Sequence, residues 1–110
     1  MRSNDEMMQI VAQRFKVMSE PLRLKILQLL KDRERSVGEI ADILHLKHGT
    51  ASANLNALAK ASLVAPRREG TKIYYRITNQ MVLKICEIAC DCIHKEIDAM
   101  VKMQDGMEKF

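Results

Sequence analysis

Apolar residues return every three or four positions through most of the chain, and that spacing predicts a mainly helical molecule. Met7, Ile10, Val11, Phe15 and Met18 trace one face of a first helix, capped by Asn4-Asp5-Glu6 and running to about Val17. Ser19-Glu20-Pro21 opens a second helix to about Lys31, with Leu22, Ile26, Leu29 and Leu30 together on one face. Ser36-Val37-Gly38-Glu39 has the Ser and Glu of a capping box and starts a short third helix through Leu44. His45 to Gly49 forms a tight turn, and a fourth helix follows from about His48 to Ala61, with Ala51, Leu55 and Leu58 inward. The period then drops to two. Ile73, Tyr75 and Ile77 alternate with Lys72, Tyr74 and Arg76 as in a half-buried strand, and Leu63 to Arg68 is its expected partner. Pro66 places that partner at a sheet edge, and Glu69-Gly70 sits at the hairpin tip. Thr78 or Asn79 caps a last helix over about Gln80 to Met103, which at 1.5 Å per residue would span roughly 37 Å.

Two short helices joined by a tight turn and followed by a two-stranded hairpin give the winged helix-turn-helix pattern. The expected fold is mainly α with a small β-hairpin, in the order α-α-α-α-β-β-α, dimeric through the first and last helices. One domain is expected over 1–110, with a reading head at about 36–62, a wing at about 63–77 and a sensor and dimer helix at about 79–103.

Composition narrows this further. A chain of 110 residues is one domain's worth. Apolar residues make up 47% and aromatic residues 4%, with eight Met and no Trp, so the core is aliphatic. Four Gly and two Pro argue against a turn-rich all-β fold. No apolar run approaches the roughly 18–20 residues of a membrane span, and no signal-peptide core follows Met1, so the expected location is the cytoplasm, with no membrane partner. The net charge is +4, and between positions 60 and 76 five basic residues (Lys60, Arg67, Arg68, Lys72, Arg76) face one acid, Glu69. A basic hairpin beside a small-residue helix is what a double-stranded DNA operator would require, the helix in the major groove and the hairpin on flanking phosphates. The DNA-binding candidates are Lys47, His48, Thr50, Ser52 and Asn54 of the fourth helix and its turn, with Arg67, Arg68 and Lys72 of the wing. Asn54 could pair bidentately with adenine, while Thr50 and Ser52 could donate to base edges or phosphate. The plain alternative leaves Asn54 and Asn56 as ordinary solvated helix residues.

The chain resembles the ArsR/SmtB family of bacterial winged-helix metalloregulators. The resemblance rests on Phe15 to Leu30 with Ser19, Pro21, Arg23 and Ile26-Leu27 in place, on Ser36 to Leu58, and on the wing from Arg67 to Ile77. It covers about residues 8 to 98 and implies a homodimeric repressor that leaves its operator when a toxic ion or an oxidant binds. There are departures. Larger polar groups are common in the family where this chain has Gly49, Ala53 and Asn54, so no operator sequence carries over. Positions 39–45 read Glu-Ile-Ala-Asp-Ile-Leu-His and lack the family's third-helix Cys-x-Cys. No His follows His94, so the zinc site of the last helix is absent, and the second helix lacks the Cys of the family's persulfide sensors.

The candidate sensing chemistry is in the last helix, where the chain's three cysteines, Cys86, Cys90 and Cys92, fall within seven residues. Such a cluster is no secreted disulfide framework and more often binds metal or responds to redox change. Cys86 and Cys90 are one helical turn apart, whereas Cys92 lies about 160° around the axis from Cys90. One straight helix therefore cannot wrap all three around one ion; a third ligand could be Cys92 of a second copy, a first-helix residue, His94 or an exogenous thiol. Soft thiolates select thiophilic ions. The family resemblance implies As(III) or Sb(III) as inducer, held by two or three sulfurs, with cadmium, lead, mercury and then zinc behind. Zinc would want four ligands. Two other readings stay open: buried Cys packing as a small hydrophobe, and a purely redox switch. The stripe Val82, Ile85, Ala89, Ile93, Ile97 and Met100, with Ile10 of the first helix, is the expected dimer interface. No phosphate loop, Cys-x-x-Cys at a helix start or acid/base pair marks an enzyme, and no organic cofactor is expected. A winged helix serving only protein interaction is a further alternative, separable by salt dependence.

Overall fold

The computed structural model describes residues 3–108. In chain order the elements are α1 (Asn4–Met18), α2 (Pro21–Leu29), β1 (Arg35–Ser36), α3 (Val37–Leu44), α4 (His48–Lys60), β2 (Val64–Glu69), β3 (Lys72–Ile77) and α5 (Gln80–Glu108). The strands form one antiparallel sheet in the order β1-β3-β2. The architecture is a winged helix-turn-helix with one element more than the pattern predicted. β1 is only two residues long, too short to show an alternation. It exists because Arg35 and Ser36 pair with Tyr75 and Tyr74. The chain divides into two compact units between Gln80 and Met81.

In the first unit, local chemistry sets each boundary. Ser3, one residue ahead of the expected cap, accepts a hydrogen bond from the Glu6 N–H and starts α1. Pro21 takes the first turn of α2, where its missing N–H costs nothing. That helix stops at Leu29, short of the expected Lys31, because the Lys31 N–H bonds back to the Gln28 carbonyl in a tighter turn. Arg35 Nε then donates to the Leu29 carbonyl at 2.8 Å, satisfying one of the orphan acceptors at that end. α2 packs against both α1 and α4, so it buries Ile26, Leu27 and Leu30 while Leu22 and Leu29 are half-buried. The expected single face missed Leu27.

The capping box is present in full. Ser36 Oγ accepts from the Glu39 N–H at 3.1 Å, and the Ser36 N–H donates to Glu39 Oε1 at 3.3 Å. Both helices of the reading head end in the same way. The Leu46 N–H bonds the Ala41 carbonyl and His45 the Asp42 carbonyl; the Leu63 N–H bonds Leu58 and Ser62 bonds Ala59. These are Schellman closures, which place one residue in the left-handed region, usually Gly. Here they are His45 (φ 56°) and Ser62 (φ 63°). α3 buries Val37, Ile40 and Ala41, and α4 buries Ala51, Leu55 and Leu58, as its pattern predicts. Glu69 pairs with Lys72 across the two-residue turn Gly70-Thr71, where Gly70 has φ 62°.

The second unit is the body of α5, which has 29 residues and continues past the expected Met103, with Gly106 inside its last turn. Among the described residues, no helix is long and apolar enough to cross a membrane.

These local features set measurable stabilities in urea unfolding. Ser36→Ala removes one half of the capping box and is expected to cost about 1 kcal/mol. His45→Gly relieves left-handed backbone strain and is expected to add about 1 kcal/mol, whereas His45→Val lowers stability.

Candidate nucleic-acid interface and thiol site

Burial of Ala51, Leu55 and Leu58 rotates the opposite face of α4 into solvent, so Thr50, Ala53 and Asn56 are exposed along one stripe with Gly49 at its start. No acidic residue lies in the first turn. Lys47, His48 and Thr50 are exposed at the helix start, whereas Ser52 is half-buried on one flank. There it lines a cleft of about 400 Å³ with Asp42, His48, Thr71 and Lys72.

Asn54 lies on the other flank and is engaged within the protein. Its Oδ1 accepts from Arg23 Nε at 3.2 Å, and its Nδ2 donates to the Thr50 carbonyl at 2.8 Å. Arg23 also donates to the Val17 carbonyl at 3.3 Å and lies 3.7 Å from Glu20. Asn54 thus ties α4 to α2 and the end of α1, with one protein partner at each of its amide atoms. Asn56 is exposed and bonded to the Tyr75 hydroxyl. It lies three residues after Ala53 on the exposed stripe, a spacing that was available to count.

In the wing, strand register separates two adjacent arginines. Arg67 pairs across the sheet with Tyr74, and its guanidinium carbon sits 4.8 Å from the Tyr74 ring centre. It donates to both carboxylate oxygens of Glu34 and to Glu69 Oε2 at 2.9 Å. The hydrogen bond from Arg67 holds the Glu34 carboxyl below its ordinary range, and the two carboxylates push the Arg67 pKa upward. Arg67 is therefore charged and ion-paired at the surface with Glu34 and Glu69. Arg68 and Lys72 are exposed and form no ion pair among the described residues.

All three cysteines are free, with Cys86 half-buried and Cys90 and Cys92 exposed. Burial, and then the proximity of Cys90, raise the Cys86 thiol above its usual pKa. Cys86 and Cys90 are one helical turn apart on α5. Among the described residues, no three His, Cys, Asp or Glu side chains gather where they could hold one ion. The described residues of one chain therefore fall short of a complete tetrahedral zinc site. Of the expected interface residues, Ala89, Ile93, Ile97 and Met100 are exposed, and Ile10 and Ile85 are half-buried. Val82 is buried, unlike Ala89, Ile93, Ile97 and Met100.

A helix-turn-helix domain family model matches residues 18–67. The chain is 45% identical over 75 residues to the transcriptional regulator Rv0324 of Mycobacterium tuberculosis, covering 68% of this chain and 33% of that protein. It is 36% identical over 75 residues to the cadmium resistance transcriptional regulatory protein CadC of Listeria innocua, covering 67% of this chain and 63% of CadC. The chain thus spans a third and just under two thirds of these two relatives. The crystal structure of Rv0081 from Mycobacterium tuberculosis superposes with a TM-score of 0.76 at 30% identity, covering 86% of this chain and 96% of that one. A solution structure of residues 1–100 of Mb0332 from Mycobacterium bovis gives a TM-score of 0.75 at 36% identity, covering 86% and 90%. That fragment is a homodimeric winged helix-turn-helix DNA-binding domain of a possible ArsR-family regulator.

The thiolate is the reactive form of cysteine, so a raised pKa slows alkylation at neutral pH. Iodoacetamide is expected to label Cys90 and Cys92 before Cys86, with the Cys86 lag shrinking as pH rises above the ordinary thiol range of about 8.5. Peptide mass spectrometry at several pH values reads this order, and equal rates at neutral pH would contradict it.

Proposed function

The chain belongs to the ArsR/SmtB family of winged helix-turn-helix transcriptional regulators, and from that premise we propose that it is a cytoplasmic, homodimeric DNA-binding repressor. The carrying observation is the α4 face of Thr50, Ala53 and Asn56, exposed and free of acid in its first turn, beside a wing that leaves Arg68 and Lys72 open. Small side chains on α4 let its N-terminal half approach base edges, and the wing cations meet flanking phosphates. Two copies would place their reading heads about 34 Å apart, one turn of DNA. The apolar residues that α1 and α5 each leave in solvent, among them Met7, Phe15, Ile93 and Ile97, support self-association. Relatives of this chain are transcriptional regulators, and an enzymatic role has no support from the residues present.

The inducer in this reading is arsenite or antimonite, held by Cys86 and Cys90, with a third sulfur from Cys92 of a second copy or from an exogenous thiol. Two adjacent thiols without a third ligand nearby support an ion that tolerates low coordination over zinc. The cadmium-resistance role in the name of CadC favours cadmium as the second reading. Oxidation of the thiols is a third, although Cys86 and Cys90 on one straight helix are poorly oriented for a disulfide within a chain. Release requires only modest coupling, since each ~1.4 kcal/mol between inducer and operator changes affinity tenfold.

Duplexes selected from a randomised library supply the operator for a fluorescence-anisotropy assay. The expected outcome is tight binding that arsenite weakens by at least about tenfold, a coupling of roughly 1.4 kcal/mol. Cys86→Ser and Cys90→Ser should each bind DNA normally and ignore arsenite. Release by cadmium alone moves the reading to cadmium, release by peroxide alone moves it to oxidation, and failure to select any duplex ends the repressor reading.

A further inference from the structure

Arg67 and Glu34 come from opposite edges of the wing sheet. The strand order is β1-β3-β2, and one row crosses all three strands: Ser36 of β1 pairs with Tyr74 of β3, and Tyr74 pairs with Arg67 of β2. Cross-strand partners share a face, so Arg67 and Tyr74 lie on one side of the sheet. Tyr75, the next residue, points to the other side and bonds Asn56 of α4. Arg67 therefore lies on the face turned away from the recognition helix. From there its side chain crosses the central strand over the Tyr74 ring, with 4.8 Å between the guanidinium carbon and the ring centre. It ends on Glu34, the residue just before β1. The contact is a two-bond fork: Nε donates to Glu34 Oε2 at 3.2 Å and Nη2 donates to Oε1, while Nη1 turns to Glu69 Oε2 at 2.9 Å. A lone surface ion pair contributes little, but a bidentate fork within a network, stacked on a ring, is the exception.

The position of this fork gives it a use. β1 has two residues, and its ladder with β3 consists of two pairs, Arg35 with Tyr75 and Ser36 with Tyr74. α3 begins at the next residue, Val37. β1 and β2 lie on either side of β3 and do not pair with each other, so the fork is a direct strap between the outer wing strand and the chain entering the helix-turn-helix. We infer that Glu34 is a positioning residue for DNA binding: acting through Arg67, it fixes the wing hairpin relative to α3 and α4. The inference rests on the DNA-binding reading above and deepens it, since it gives a task to an acid beside a basic surface. A carboxylate near a duplex repels phosphate, so its removal would ordinarily strengthen binding. Here its removal weakens binding, because Arg68 and Lys72 lose their fixed distance from α4. That reversed sign separates positioning from simple attraction between charges.

The probe is a labelled random-sequence duplex of roughly three helical turns, titrated by anisotropy between about 50 and 200 mM salt. Glu34→Ala makes the protein more positive and should still weaken binding by roughly three- to fivefold. Glu34→Ala combined with Arg67→Met leaves the net charge at +4, and Met keeps an apolar stem over Tyr74. The double variant should lose no more than Glu34→Ala alone, with the slope of log affinity against log salt as in wild type. In a background of Arg68→Ala and Lys72→Ala, Glu34→Ala should no longer weaken binding, because a positioning residue acts only through what it positions; a general loss of fold would persist there and overturn the inference. Melting temperatures near wild type accompany these results, and if the double variant melts early, Glu34→Ala decides by itself. Stronger binding in Glu34→Ala, with the slope steeper by about 0.9, overturns the inference and makes Arg67 a phosphate contact that Glu34 masks. Wild-type affinity in both variants overturns it as well. Amide hydrogen exchange without DNA reads the strap itself: Glu34→Ala should speed exchange of the β1–β3 ladder amides and leave those of α4 unchanged. Unchanged β1–β3 exchange overturns the strap. A wild-type protein that binds neither random nor selected duplex, with exchange as expected, removes the DNA-binding reading and with it the positioning role, while the strap stands.

Discussion

Ser36 carries two bonds that the rest of the reading head depends on. As the second residue of β1 it pairs with Tyr74, and as the N-cap of α3 it closes the capping box with Glu39. A single buried residue therefore joins the wing sheet to the first helix of the helix-turn-helix, with no linker between them. Since β3 also carries Tyr75 and pairs with β2, the position of the whole wing is referred to α3 through this junction. Glu39 adds to it: hydrogen bonds from Arg33 and then from the Ser36 backbone hold its carboxyl below the ordinary range, so the box keeps its charged form. The distance between α4 and the wing, which decides whether both can meet one duplex, is set by short-range bonds and not by a flexible hinge.

Features set by local spacing were legible in the chain. The Ser36–Glu39 box, the inward residues of α4, the edge position of Pro66 and the turn at Gly70 all follow from patterns within a few residues. What escaped the pattern depends on partners far away in the sequence. Glu34 lies 33 residues from Arg67 and β1 is two residues long. No count of basic residues could therefore show that Arg67 is neutralised and Arg68 is not; strand register makes that distinction. Asn54 and Asn56 present the same problem on a helix. They are the same residue type two positions apart, about 200° around the axis, so one meets α2 and the other meets the wing. Asn54 meets Arg23, 31 residues earlier in the sequence, a contact that leaves no local pattern.

The thiols of α5 show the same division. Their pairing along the helix follows from spacing, and Cys90 does raise the Cys86 thiol. The third donor does not follow, because spacing within one helix carries no information about a second chain. Of the expected interface stripe, Ala89, Ile93, Ile97 and Met100 are exposed, and Val82 at its start is buried. A helical stripe records that a face is apolar and leaves open which part of it the chain buries for itself.

The reading head separates shape from charge. α4 carries Gly49, Thr50, Ala51 and Ala53 in its first half, residues small enough for close backbone approach, and its acid-free first turn adds no repulsion. On the wing, Arg67 is ion-paired with Glu34 and Glu69, while Arg68 and Lys72 are exposed with no ion pair among the described residues. In the proposed repressor, fit to the groove and attraction to phosphate would then be properties of different elements. Both helices end on residues held in the left-handed region, His45 and Ser62, where glycine would be less strained. Leu46 and Leu63 each bond back across their own helix ends, and at the second closure Thr78 also donates from its N–H to the Leu63 carbonyl. The α4 C-terminus is thereby tied to the chain leaving β3, so a displacement of the wing and a displacement of the recognition helix are not independent motions.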